Sequence, residues 1–235
     1  MLAPQSEWLD YAHATVAVAR MTGCACDADV AWPGYMGTGY PNSRVLLVGA
    51  IHHAKVLNQS GLLSIVPALK EWGASPRTKA CDACDVEALN RVEKAYLEAI
   101  PRFIRWKAPN GAIRVGAVWS NFEKILNALG LSFADVAFTN LAKCALPAGT
   151  EQSEETRRIR FHESSAWPLA KLIDKIDPLY VVIAKDKEVV NAIIRIPTSD
   201  QRIRRCNNRT FVSSGRLLSE WLPDDARRYA VLRRK

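Results

Sequence analysis

The sequence predicts an α/β fold: three layers, α/β/α, around a short, mainly parallel central sheet. Three observations lead there. The runs at residues 45–48, 136–140 and 179–184 are short and almost wholly apolar, as strands buried on both faces must be. Between them lie stretches with apolar residues at helical spacing. Strand–helix alternation of this kind is the pattern of a parallel sheet covered by helices.

Taken in order, residues 7–22 place Trp8, Tyr11, Ala12, Thr15 and Val18 on one helical face, and Gly23 stops the helix. Residues 27–43, rich in Gly, Pro and aromatic residues, read as an ordered loop leading to the first strand. That strand breaks at Gly49 and presents His52 and His53. Residues 57–73 and 86–97 read as helices, and 103–118 as a hairpin or loop around Pro109-Asn-Gly111. Ser120 is the expected N-cap of a helix over 120–129, with Glu123 completing a capping box. After the strand at 136–140, a long helix is expected over 156–176, with Pro168 kinking it or marking its start. The strand at 179–184, a helix over 187–195, a strand over 209–213 and a terminal helix over 217–221 complete the reading.

The 235 residues suit a single domain spanning 1–235, with 74–118 the candidate insertion. No apolar run approaches the roughly 20 residues that span a bilayer. The opening residues lack the pattern of a secretion signal. A cytoplasmic location, no membrane partner and a monomeric state are therefore expected. The net charge is +8, with arginines bunched at 157–160, 202–209 and 227–234. Such an excess favours a polyanionic partner, because binding releases condensed counterions. Cys81-Asp-Ala-Cys84 has metal-ligand spacing and Cys24-Ala-Cys26 is a poorer pair. Two such pairs are what a zinc or iron–sulfur site needs, whereas reduced thiols with no common role need nothing further; no metal is expected.

Three loops leave the carboxyl ends of expected strands, at 49–53, 140–149 and 213–216. Ligands of open parallel sheets bind at that edge, so His52 and His53 are expected at the mouth of a site. Asn140 suits bidentate reading of a base edge, though it would serve equally to close its strand on loop backbone. Lys143 and the turn Ser213-Ser214-Gly215-Arg216 suit phosphate.

The order of these pieces resembles the uracil-DNA glycosylase superfamily, nearest its iron–sulfur (family 4 type) branch. The resemblance runs over about residues 44–216, with 74–118 poorly matched, and is strongest at Phe138-Thr-Asn-Leu-Ala-Lys-Cys144 and Ile176-Asp-Pro-Leu-Tyr-Val-Val-Ile183. It implies that Asn140 holds a flipped pyrimidine and that Gly49, Ala50 and Ile51 line the base pocket. It implies that Ser213, Ser214, Gly215 and Arg216 grip the DNA. The chain departs from the family where the first motif has Ala50 and Ile51 in place of an acidic or amide residue, and where the last has Val212 in place of histidine. Losing both costs several orders of magnitude unless replaced, and His52 or His53 is the expected replacement, since neutral imidazole can take a proton from water. Of the cluster ligands, Cys144 matches one; the next falls near Ser165, so the cluster is expected to be absent. The expected function is hydrolysis of the N-glycosidic bond of uracil or another damaged base, in DNA that includes single strands. The alternative is a binding module on the same fold without chemistry. A metal or redox protein built on the cysteines ranks last.

Overall fold

The computed structural model describes residues 3–21, 31–53, 57, 60–74, 82–108, 110–146, 169–184, 203–206, 209–213 and 230–234. The helices expected over 187–195 and 217–221, the start of the one at 156–176, and Cys24, Cys26 and Cys81 lie outside them. In chain order the described elements begin with α1 (Ala3–Met21), β1 (Tyr35–Met36), α2 (Tyr40–Ser43), β2 (Val45–Gly49) and β3 (His52–His53). A 3-10 turn at Leu62–Ile65 leads to α3 (Val66–Ala74) and α4 (Asp82–Ile104). Next come β4 (Arg105–Lys107), β5 (Ile113–Val115), α5 (Ala117–Ala128), β6 (Ala137–Asn140) and β7 (Ala145–Leu146). The chain ends with α6 (Leu169–Ile176), β8 (Tyr180–Ile183), β9 (Ile203–Cys206), β10 (Arg209–Ser213) and β11 (Ala230–Arg234).

Seven strands form one sheet in the order β1-β6-β2-β8-β11-β10-β9. Its centre is mainly parallel: β6, β2 and β8 run together, with β1 opposed on the flank. Beyond β8 the sheet continues through three strands paired antiparallel. The arrangement is α/β, and the three expected apolar runs are its three parallel strands. Every residue of β2 and β6 is buried, so both faces of the centre are covered. Parallel crossovers are right-handed; the chain crosses one way from β2 to β6, then back the other way from β6, past β2, to β8. The helices of the two crossovers, α4 and α5 on one side and α6 on the other, therefore fall on opposite faces.

Side-chain alternation along β6 agrees. Phe138 meets Tyr96 of α4 at 6.0 Å and Trp119 and Phe122 of α5 at 4.6 and 6.4 Å between ring centroids. Thr139, one residue on, turns to the other face, where its hydroxyl pairs with the Tyr11 phenol of α1 at 2.7 Å. The entries to β2 and β8 are clamped together. Arg44, in the left-handed region, bonds the Asp177 carbonyl and carboxylate at 2.6 and 2.5 Å, and its own carbonyl accepts from Leu179 N–H at 2.7 Å.

The helix read over 120–129 begins earlier, at Ala117 with Gly116 as N-cap, so Ser120 is not its cap. Trp119 lies within the helix and stacks on Phe103 at 4.9 Å. The helix ends as expected: Gly130, at φ 67°, lets Gly130 and Leu131 return their N–H groups to Asn127 and Leu126. The reciprocal cap of Ser-x-x-acid type is at Ser132 and Asp135 instead. Hydrogen bonds from the Ser132 hydroxyl and N–H hold the Asp135 carboxyl below its ordinary range.

Helix α4 is longer than expected and is part of the core, burying Val92, Tyr96, Ile100 and Phe103. Its Glu93 accepts Thr38 N–H at 3.0 Å. Burial raises the Glu93 carboxyl, and that hydrogen bond only partly offsets the rise.

Two stability predictions follow from this packing. Phe122→Ala, at a fully buried ring, is expected to cost about 3–5 kcal/mol in a urea titration. For Glu93 the folded state holds the proton more tightly than the unfolded chain. Its contribution is present in acid and lost as pH rises above the ordinary value near 4.5 and through the raised one. Glu93→Gln keeps an acceptor for Thr38 and removes that loss, so the variant should gain stability over wild type as pH rises through that window and match it below.

Candidate functional site

The carboxyl ends of β2 and β6 meet at a point where the chain crosses away on both sides, which is where open parallel sheets bind ligands. Gly49 stands directly opposite Asn140. Past the strand ends the two chains stay laced. Leu141 N–H donates to the Gly49 carbonyl and Ala142 N–H to the Ala50 carbonyl, both at 2.9 Å. Then β3 pairs in parallel with β7, His52 opposite Ala145 and His53 opposite Leu146. The loops expected to open a mouth form a second small parallel ribbon.

Asn140 lies on the same face as Phe138. Its side chain fills the space above Gly49, where a Cβ would stand 2.2 Å from Asn140 Oδ1 and 3.4 Å from Phe138 Cε2. Asn140 is 3% exposed, and its Nδ2 has no hydrogen-bond partner. The strand-closing role considered for Asn140 is carried by its backbone, not its amide group. An orphaned buried donor costs about 1–3 kcal/mol, and a ligand carbonyl would recover that.

His52 lies below the mouth rather than at it. It is 5% exposed and ringed by Trp32, Tyr96, Phe103 and Phe138, with centroids 5.9 to 6.3 Å away. Its Nε2 is 3.0 Å from the Tyr96 phenol. Pairing of β3 with β7 draws the imidazole in under the strands. Burial, and then the nearby Tyr11 phenol, push the Tyr96 hydroxyl well above its ordinary pKa, so it remains a hydroxyl at working pH. Of His53 the structure gives the strand position.

Lys143 also turns inward. It is 5% exposed; its ammonium donates to Thr139 Oγ1 at 3.1 Å and to the Asn140 carbonyl, and stands 5.5 Å from the centre of the Tyr11 ring. The residue expected to hold phosphate is thus bonded to the backbone that carries Asn140. Ser213 ends β10, which runs in the direction of β8. In register it is level with Leu46 of β2 and three strands away, about 14 Å. Ser214, Gly215 and Arg216 lie outside the described residues. Ala50 and Ile51 flank the site and bring no acid to it.

Among the described residues no three His, Cys, Asp or Glu side chains converge for a metal. Cys144 is buried and in no disulfide, Cys84 is on α4 and Cys206 on β9. Nor is any described helix long and apolar enough to cross a membrane. Sequence reasoning missed Tyr96, Trp32 and Tyr11. Tyr96 and Tyr11 sit on ordinary amphipathic stripes, and nothing local marks a phenol that will meet a histidine or threonine far along the chain.

No protein-family model, curated protein or solved structure matches the chain.

Gly49→Ala should be overpacked, costing about 1–3 kcal/mol in denaturant titrations. In the double variant with Asn140→Ala most of that cost should disappear, a coupling of about 1 kcal/mol or more. Additive losses would show that Asn140 does not occupy the space above Gly49.

Proposed function

We propose that this chain recognises a base drawn out of DNA, in the manner of the uracil-DNA glycosylase superfamily, and hydrolyses its N-glycosidic bond. Water adds at the sugar carbon and the base leaves. The observation that carries this reading is the buried Asn140 amide with its unpaired Nδ2, set at the meeting point of two parallel strands. An amide so placed offers a donor and an acceptor side by side, which is what a pyrimidine carbonyl and its neighbouring N–H require. Gly49, without a side chain, leaves room for that amide. Net charge of +8 supports a polyanionic substrate. The three-layer, glycosylase-like fold and a monomeric state go with this reading. His52 is the candidate base for water, His53 the second, and Lys143 fixes the peptide of Asn140 instead of gripping phosphate.

A second reading keeps the base pocket and omits the chemistry. It is favoured by one feature: His52 Nε2 is already engaged by Tyr96 beneath the surface, and Ala50 and Ile51 supply no replacement.

Release of free base from uracil-containing oligonucleotides separates the two. Hydrolysis predicts release by wild type, with a loss of at least 100-fold in Asn140→Ala and in one of His52→Ala or His53→Ala, given about 10²–10⁴ for a general base. Absence of release with Asn140-dependent binding of the same oligonucleotide selects the second reading. Absence of both removes the base pocket altogether.

A further inference from the structure

The strands β4 and β5 form a two-stranded antiparallel hairpin of their own, outside the main sheet. Its register puts Arg105 opposite Val115 and Lys107 opposite Ile113, so these four share one face. All four are exposed, with Ile113 at 67% and Val115 at 56%; these are the largest exposures among the described large apolar side chains. Trp106 and Arg114 take the opposite face, and the Trp106 ring lies toward Gly116 at the base of the hairpin. A two-stranded ribbon showing two β-branched apolar side chains to water is costly unless something covers it.

Charge says what covers it. From residue 99 to 122 the chain has four cations, Arg102, Arg105, Lys107 and Arg114, and no acid. Arg102 donates to the Ser60 carbonyl at 2.8 Å; the other three form no ion pair among the described residues. The ribbon is hydrogen-bonded at both ends. Its turn is closed by Gly111 N–H on the Ala108 carbonyl and Ala108 N–H on the Ala112 carbonyl, and Gly116 N–H donates to the Ile104 carbonyl at its base. Phe103, two residues before β4, touches the ring of His52, so the ribbon springs from the wall of the candidate site.

We propose that this hairpin is a nucleic-acid contact in which Ile113 and Val115 press between stacked bases while Arg105 and Lys107 hold phosphates. Alternate residues on a strand are about 6.8 Å apart, the length of two base steps of about 3.4 Å. Small apolar wedges flanked by cations are how proteins part a base step from the groove side. The proposal rests on the reading of this chain as a DNA-binding protein, and adds the surface and its action on the stack.

Fluorescence anisotropy on the full chain tests it, with a duplex containing 2-aminopurine beside a uracil. Arg105→Gln with Lys107→Gln should weaken binding at least tenfold at low salt and lower the slope of log K against log salt by about 2. Ile113→Ser with Val115→Ser should keep the wild-type salt slope but abolish the rise in 2-aminopurine fluorescence that marks unstacking. Both pairs are at the surface, so melting temperatures should match wild type. Asn140→Ala should retain binding to undamaged duplex, and loss of uracil preference in that variant alone keeps the two hypotheses separate. Hairpin variants that bind and unstack like wild type overturn the proposal and leave the base pocket standing. So does loss of binding to anionic vesicles without loss of DNA binding. A wild-type chain that binds no DNA overturns both.

Discussion

Everything at the candidate site depends on one register, the parallel pairing that sets Gly49 opposite Asn140. The period of a strand is two, so a slip of one residue would exchange Asn140 for Thr139 on the aromatic face. Any side chain at Gly49 would take the space the amide occupies. The register is held from both ends. At the start, Arg44 ties β2 to the turn before β8. At the finish, β3 and β7 continue the same parallel pairing after the main strands have ended. The Asn140 amide is thereby placed on the aromatic face by the register of the backbone.

The opposite face of β6 pays for this with a polar layer of its own. A buried ammonium loses hydration, and Lys143 recovers part of it through Thr139 Oγ1, the Asn140 carbonyl and the face of Tyr11. Thr139 in turn meets the Tyr11 phenol and the Pro33 carbonyl, and the Lys143 carbonyl takes Trp32 N–H at 2.7 Å. The peptide plane of Asn140 is therefore gripped from below while its amide faces the other way. Binding groups held in this manner need no reordering when a ligand arrives, which is where preorganised sites gain affinity.

The three parallel strands were legible because burial on both faces leaves a composition signal in the run itself. The start of α5 was not, because Ser120 and Glu123 make a plausible local cap, while the stacking of Trp119 on Phe103 that draws the helix back to Ala117 joins residues far apart in sequence. The same reason hid the fate of His52 and Lys143. Both read as loop residues at a strand end, and only the pairing of β3 with β7 and the approach of α1 turn them inward. Strands β9 and β11 were missed for another reason. They are short and arginine-rich, Ile203-Arg-Arg-Cys206 and Ala230-Val-Leu-Arg-Arg234, and pairing with neighbours rather than core composition makes them strands. The hairpin at β4 and β5 was narrowed to two forms by its turn residues, and its register is what the sequence lacked.

The contact between His52 and Tyr96 bears directly on the proposed chemistry. The phenol keeps its proton at working pH, so it can donate to Nε2 or accept from it. Where it donates, Nε2 has spent its lone pair and the ring proton lies on Nδ1; the imidazole then has no free site from which to take a proton from water. Where it accepts, Nε2 carries the proton and the lone pair is on Nδ1. The Tyr96 contact and the tautomer of His52 are thus linked. On the proposed function, Tyr96→Phe would shift the balance between hydrolysis and simple binding while leaving Asn140 in place. Asn140 and His52 thus rest on separate supports, the first on β6 with α1 below it, the second against α4.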